Sequence, residues 1–257
     1  MPRLDDVVAH LDALLLTADT PDYGPALNGL QLANAGEVRG VAAAVDYSLA
    51  GVDGAIAAGA NLLLLHHGMF WSGAQPIRGV AYERLKKLLA HDVAVYASHL
   101  PLDRHPTLGN NVLLARELGL EPTGEFARYK TIAVGVRGES DVATAELAAR
   151  ARALAEAHGG SVVATAHEAG RRTRRWGICT GAGASSESLA EAASLGLDTL
   201  VVGEGPHHTG VEARELGIVV IYAGHYATET LGVRALARHV GEAFGVPWSF
   251  VDAPTGL

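Results

Sequence analysis

Apolar residues recur at helical spacing at the start of the chain. Leu4, Val7, Val8, Leu11, Leu14 and Leu15 share one face, which predicts a helix over 3–16. Residues 21–36 are rich in turn formers and read as a loop. A strand is expected over 38–45, and Ser48 caps a helix that Gly59 ends. Leu62 to Leu65 is an unbroken apolar run between Asn61 and His66, the pattern of a strand buried on both faces. Helix 82–90, strand 93–98 and helix 110–118 follow. Strand 131–136, helix 142–157, strand 161–165 and a polar, basic loop over 167–175 come next. The first pattern then returns as strand 176–180, helix 186–194, strand 199–202, helix 211–216, strand 219–222 and helix 231–244.

Strands alternate with helices almost throughout, which predicts an α/β fold with mixed, largely parallel sheets and right-handed crossovers. The alternation also repeats. Val93–Ser98 with His99-Leu100-Pro101-Leu102-Asp103 matches Val219–Gly224 with His225-Tyr226-Ala227-Thr228-Glu229 at a constant offset of 126. Gly59–His67 matches Gly196–Glu204 at an offset of 137. The chain therefore reads as two similar, interlinked α/β domains related by internal duplication about a pseudo-twofold axis. Residues 1–125 form the first half, carrying His66, His67 and Asp103. Residues 126–257 form the second, carrying His225 and Glu229.

Composition narrows the possible functions. Of the 257 residues, 49% are hydrophobic and 19% charged, enough apolar material for a substantial core. The net charge of −8 argues against a nucleic-acid footprint. The single cysteine, Cys179, excludes an intrachain disulfide and reads as a small buried hydrophobe. The N-terminus lacks the apolar core of a signal peptide, and no stretch has the length of a membrane span, so a soluble cytoplasmic protein is expected.

Functional groups in α/β sheets gather beyond the carboxyl ends of strands. His66, His67, Asp103, His225 and Glu229 stand at such positions in both copies. Three imidazoles and two carboxylates suit divalent zinc, iron, nickel or manganese and do not suit a thiolate-rich structural zinc site. Neighbouring side chains on a strand point opposite ways, so His66 and His67 are expected to serve one metal each. Five ligands shared by two metals leave open positions for water or substrate, the arrangement of metal-assisted hydrolysis.

Leu62–Trp71, Ser98–Asp103 with Gly109-Asn110-Asn111, Ala223–Glu229 and Asn28-Gly29-Leu30-Gln31 together resemble the signature of the Nif-three-like dinuclear-metal-centre proteins. Members of that family are commonly labelled type 2 homologues of GTP cyclohydrolase I. The resemblance spans about residues 5 to 250. It implies a homohexameric toroid, a trimer of dimers, built from two-domain subunits. It also implies two divalent transition metals per subunit, held between the domains by the same five residues. The segment between the copies has the length of the family's short form, without an inserted domain.

Other residues carry further expectations. His99, the duplicate partner of His225, and His208 are candidates for moving protons. Phe70 and Trp71 beside the metal motif, with Glu204 and His207, are candidates for touching substrate. Gly181–Ser186 reads as a tight turn, and Arg171 to Arg175 as a solvated loop. The expected function is metal-dependent hydrolysis of a small, nucleotide-like substrate. The alternative is metal insertion, storage or regulation without catalysis.

Overall fold

The computed structural model describes residues 1–256. Along the chain the elements are α1 (Leu4–Leu15), β1 (Gly29–Leu32), β2 (Val41–Asp46), α2 (Leu49–Ala57), β3 (Leu62–His67), α3 (Val80–Ala90) and β4 (Ala94–Ala97). The short α4 (Leu100–Asp103), α5 (Asn110–Glu117), β5 (Gly124–Tyr129), β6 (Ile132–Ala143), α6 (Thr144–Ala157) and β7 (Val163–Ala164) follow. The chain closes with β8 (Arg172–Cys179), α7 (Ser186–Ser194), β9 (Thr199–Val202), α8 (His207–Glu215), β10 (Val219–Tyr222), α9 (His225–Phe244) and β11 (Trp248–Phe250). Among the described residues no helix is long and apolar enough to cross a membrane.

The chain divides into two compact units. The first comprises residues 1–102 and 232–253, the second residues 103–231 with the described residues from 254 on. A single cut at 125 does not describe this division. Asp103 opens the second unit, and the chain returns to the first through the later part of α9. The return has a clear cause, because β11 pairs with β2 in parallel, Trp248 opposite Val41.

The first unit holds a five-stranded sheet of order β1-β4-β3-β2-β11. Its strands run parallel except for β1, which lies antiparallel on β4. The central strand β3 is buried along its whole length. Leu63 and Leu65 pack with Val52, Ala55, Leu88 and Val95 in one core cluster. Ser48 starts α2 as read from sequence, its hydroxyl accepting from the Gly51 amide at 3.0 Å.

The second unit holds a six-stranded sheet of order β5-β6-β8-β9-β10-β7. β8, β9 and β10 are parallel, and the other pairings are antiparallel. Its core gathers Leu114, Leu118, Leu147, Trp176, Ile178, Val201 and Ile221. Each unit thus has three central parallel strands in one order, β4-β3-β2 and β10-β9-β8. Each also has an antiparallel edge strand beside the last of them. The expected repetition is present in the topology. The other margins differ: a parallel β11 in one unit, an antiparallel β5–β6 hairpin in the other.

Several expectations need correction. The loop at 21–36 contains β1, whose residues become a strand only by pairing with β4, Gly29 opposite Ala97. The second part of the basic loop at 167–175, from Arg172 on, is the start of β8, with Arg172 paired to Ala143 across an antiparallel ladder. The strand at 131–136 runs on to Ala143, and the helix after it starts two residues later than read. Helices expected at 211–216 and 231–244 begin earlier, at His207 and His225. Polar first turns hide a helix from an apolar-periodicity reading, because the apolar face only starts further on.

Truncating β3 is expected to test the core directly. Leu64 is fully buried, and Leu64→Ala should cost about 2–5 kcal/mol of unfolding free energy in urea titrations. An equivalent truncation at exposed Leu89 should cost under about 0.5 kcal/mol.

Candidate metal centre

In the first unit, β3 delivers His66 and His67 at its carboxyl end, and the turn after β4 delivers His99. All three are buried. The His66 ring centroid lies 4.9 Å from those of both His67 and His99. One ligand nitrogen from each of the three rings lies within 4.8 Å of the others. Strand alternation had assigned His66 and His67 to opposite sides. At the strand end the rings instead converge, together with His99, which had been read as a proton carrier.

Each ring is held by its Nδ1. His66 Nδ1 donates to the Ser98 carbonyl at 2.9 Å. His67 Nδ1 donates to Asp46 Oδ1 at 2.8 Å, and His99 Nδ1 to Asp22 Oδ1 at 2.9 Å. A hydrogen bond of this kind selects the tautomer whose Nε2 carries the lone pair and raises its basicity, as in metal-ligating histidines generally. Asp22 also accepts from the Leu100 amide at 2.9 Å and from Asn28 Nδ2 at 2.8 Å. Burial pushes its carboxyl up, but the bonds from His99 and Asn28 outweigh this and hold it below the usual carboxylate range.

The Asn28–Gln31 motif now has a physical role. Asn28 Oδ1 accepts from the His99 amide at 2.7 Å. Gln31 Oε1 accepts from the Met69 amide at 2.6 Å. The motif therefore pins both histidine-bearing turns. Gly68 lies so close to it that a Cβ there would stand 2.4 Å from Gln31 Nε2.

The second unit carries Asp103, His225 and Glu229. Asp103 is buried, and its Oδ1 accepts from Asn110 at 2.9 Å and from Thr180 Oγ1 at 3.4 Å. Asn111 braces the same turn through the Asp103 and Val134 carbonyls. Because α9 begins at His225, His225 and Glu229 stand one helical turn apart, Nε2 to Oε2 at 3.1 Å. His225 Nδ1 donates to Glu204 Oε1 at 2.7 Å. Glu204, expected to meet substrate, thus acts as the orienting carboxylate of His225. Gly181 is required here. Its φ is +60°, and a Cβ would stand 2.1 Å from Glu229 Oε1.

Burial pushes the His225 imidazolium down. The Glu229 and Glu204 carboxylates outweigh it and raise the group to about 9. Burial, with the fields of Asp103, Glu229 and Glu191, pushes the Cys179 thiol up to about 12, which keeps it protonated and unreactive.

Trp71 packs against the imidazoles, 4.4 Å from the His67 centroid and 4.6 Å from that of His99. Phe70 beside it is exposed. His207 and His208 occupy the exposed first turn of α8, and none of their described contacts reaches a candidate ligand. Asp22, Asp46 and Thr180 were not anticipated, and Asn110 was noted only as part of a motif. Asp46 could have been suspected as an acid at the end of an expected strand and Asp22 as an acid close to the Asn28–Gln31 motif, but their histidine partners are distant in sequence.

The donor set fits a divalent transition metal. Buried imidazoles with fixed Nδ1 and carboxylates held by amide and hydroxyl donors are the chemistry such ions select.

Two outcomes follow from this geometry. Removing an orienting carboxylate by Asp46→Ala or Glu204→Ala should weaken metal binding about 10–100-fold while the fold persists, as read by metal titration and circular dichroism. In metal-free protein, the raised His225 value means that its proton stabilises the fold below about 6.5, the ordinary histidine value, and that this stabilisation fades as pH rises through about 9. Urea titrations from pH 6 to 10 should show that loss, and Glu204→Gln should move it to lower pH.

The model of the Duf34/NIF3 (NGG1p interacting factor 3) family matches residues 2–255. A Deinococcus radiodurans protein named GTP cyclohydrolase 1 type 2 homolog is 40% identical, the match covering 98% of this chain and 94% of that one. The solved structure of TTHA1606 from Thermus thermophilus superposes with a TM-score of 0.84 at 38% identity, covering 100% of both chains. Protein ybgI, a structure described as of unknown function, gives 0.87 at 35% identity, again over 100% of both. With the family model matched over almost its whole length, the chain belongs to the Duf34/NIF3 family.

Proposed function

We propose that the protein is a metal-dependent hydrolase. In this reading His66, His67, Asp103, His225 and Glu229 together hold two divalent transition metals, zinc or iron before manganese or nickel. The observation that carries it is the shared orientation of the histidines, each with its Nδ1 committed to an oxygen. When bound, such metals supply Lewis acidity and lower the pKa of water toward neutrality. The chain's own residues then have separate tasks. The carboxylates of Asp46, Asp22 and Glu204 hold the imidazoles in the ligating tautomer. Asn110 and Thr180 turn Asp103. His99, placed in the imidazole group of the first unit, is either a further ligand or a proton carrier.

The name of the Deinococcus relative, GTP cyclohydrolase 1 type 2 homolog, extends the proposal to a small, nucleotide-like substrate. A homohexamer acting in the cytoplasm completes it. Metal insertion or storage remains the competing role.

Elemental analysis of protein purified without chelators is expected to find about two transition metals per chain, reduced in His66→Ala and Glu229→Ala. Hydrolysis of a nucleotide ring or ester, lost in His66→Ala, should accompany the metal. Metal-loaded protein that turns over nothing in a broad panel, yet passes metal to an acceptor protein, would replace the hydrolase reading with the delivery one.

A further inference from the structure

One cavity of about 150 Å³ lies wholly in the first unit. Asp46, Tyr47, His67, Gly68, Met69, Trp71, Ser72 and Arg84 line it. Complete small-molecule sites are usually about 300–1,000 Å³, so a cavity of this size takes part of a ligand.

Its charge balance is unusual. Asp46 is the single acidic lining residue, and its Oδ1 already accepts from His67 Nδ1 at 2.8 Å. Besides His67, Arg84 is the one basic residue in the lining. Its guanidinium lies over the Tyr47 ring, 4.2 Å from the centroid, and an Nη1 hydrogen donates to the Tyr47 carbonyl. These contacts are with neutral groups. Among the described residues no carboxylate pairs with Arg84, and its Nε is buried without a hydrogen-bond partner. The nearby Lys87 is by contrast paired with Asp53. A half-buried cation whose partners are all neutral has exchanged part of its hydration for contacts that leave its charge unbalanced, and an anion restores the balance. Trp71, also in the lining, is 37% exposed. It is held against the His67 and His99 rings, so its orientation is set before any ligand arrives.

We propose that this cavity is a substrate subsite for a small planar ring bearing an anionic group such as a phosphoryl or carboxylate, with Arg84 holding the anion and Trp71 the ring. Calling the occupant a substrate rests on the metal-dependent hydrolase reading; the binding chemistry of the cavity does not. Its place beside His67 would set the ligand's reacting end next to the candidate ligands. Arg84 is then a positioning and specificity residue, outside the metal-ligating set.

The test uses phenyl phosphate and inorganic phosphate as probes, titrated by calorimetry into metal-free and metal-loaded full-length protein. Wild-type metal-free protein should bind phenyl phosphate. Arg84→Met, which keeps the apolar stem over Tyr47, should weaken it about tenfold or more, as expected for losing a hydrogen bond to a charged group. Arg84→Lys should weaken it less. Trp71→Ala should weaken phenyl phosphate while leaving inorganic phosphate unchanged. Arg84→Met should keep the wild-type metal content. Should Arg84→Met fail to fold by circular dichroism, the Arg84→Lys and Trp71→Ala affinities decide alone. Binding that appears only with metal and ignores both substitutions would overturn the proposal, because the anion then sits on the metal. So would absence of phenyl phosphate binding in both forms. A protein that holds no metal but binds the probe through Arg84 and Trp71 would sink the hydrolase reading and leave the subsite standing.

Discussion

The hydrogen bond from each histidine Nδ1 to a fixed oxygen is the constraint on which the candidate centre depends. His66, His67, His99 and His225 all make it, to a backbone carbonyl or to a carboxylate. An imidazole without such a partner exchanges tautomers and rotates, and its lone pair is then available only part of the time. With the partner in place, the lone pair on Nε2 is fixed in direction and open to a ligand role. The oxygens are therefore as much a part of the centre as the nitrogens, and the sheets supply them.

The fold explains how those oxygens come to be where they are. β2, β3 and β4 are parallel neighbours, so their carboxyl ends finish side by side. Asp46 ends β2, His67 ends β3, and Ser98 and His99 follow β4. The ladder that pairs Asp46 with His67 also sets their side chains within hydrogen-bonding reach. In the second unit the same logic puts Glu204 just past β9 and His225 just past β10. Closely packed glycines make these turns possible. At Gly181 the space a side chain would take is filled by the Glu229 carboxylate.

The polar environment separates reactive groups from inert ones. Cys179 ends β8 beside buried carboxylates, and burial with their fields keeps its thiol protonated. His225 meets the same kind of charge with the opposite result, because an imidazolium is favoured where a thiolate is not. Carboxylates that favour a cation at His225 also favour a metal ion in place of the proton. In the first unit, Arg84 adds a positive group to the cavity that Asp46 and His67 line, in a chain whose net charge is −8.

Much of this could be read from the residues alone. The apolar run Leu62–Leu65 announced a strand buried on both faces, because a run that short between polar residues fits a covered strand better than a helix. The matched spacings around His99 and His225 announced a repeat, and the repeated strand order bears that out. The motif residues also sufficed to point to the family. Other features depended on partners distant in sequence. Gly29–Leu32 and Arg172–Arg175 look like loops until another strand supplies their hydrogen bonds. The division into units escaped the reading because β11, at the far end of the chain, completes the first sheet. His207 and His208 were singled out by position, and the fold sets them in the exposed first turn of α8. Local composition determines which segments bury a face and which residues can bind a metal. Only the tertiary structure decides which oxygen meets which Nδ1, because that depends on strand order and register, and these are settled by contacts tens of residues apart.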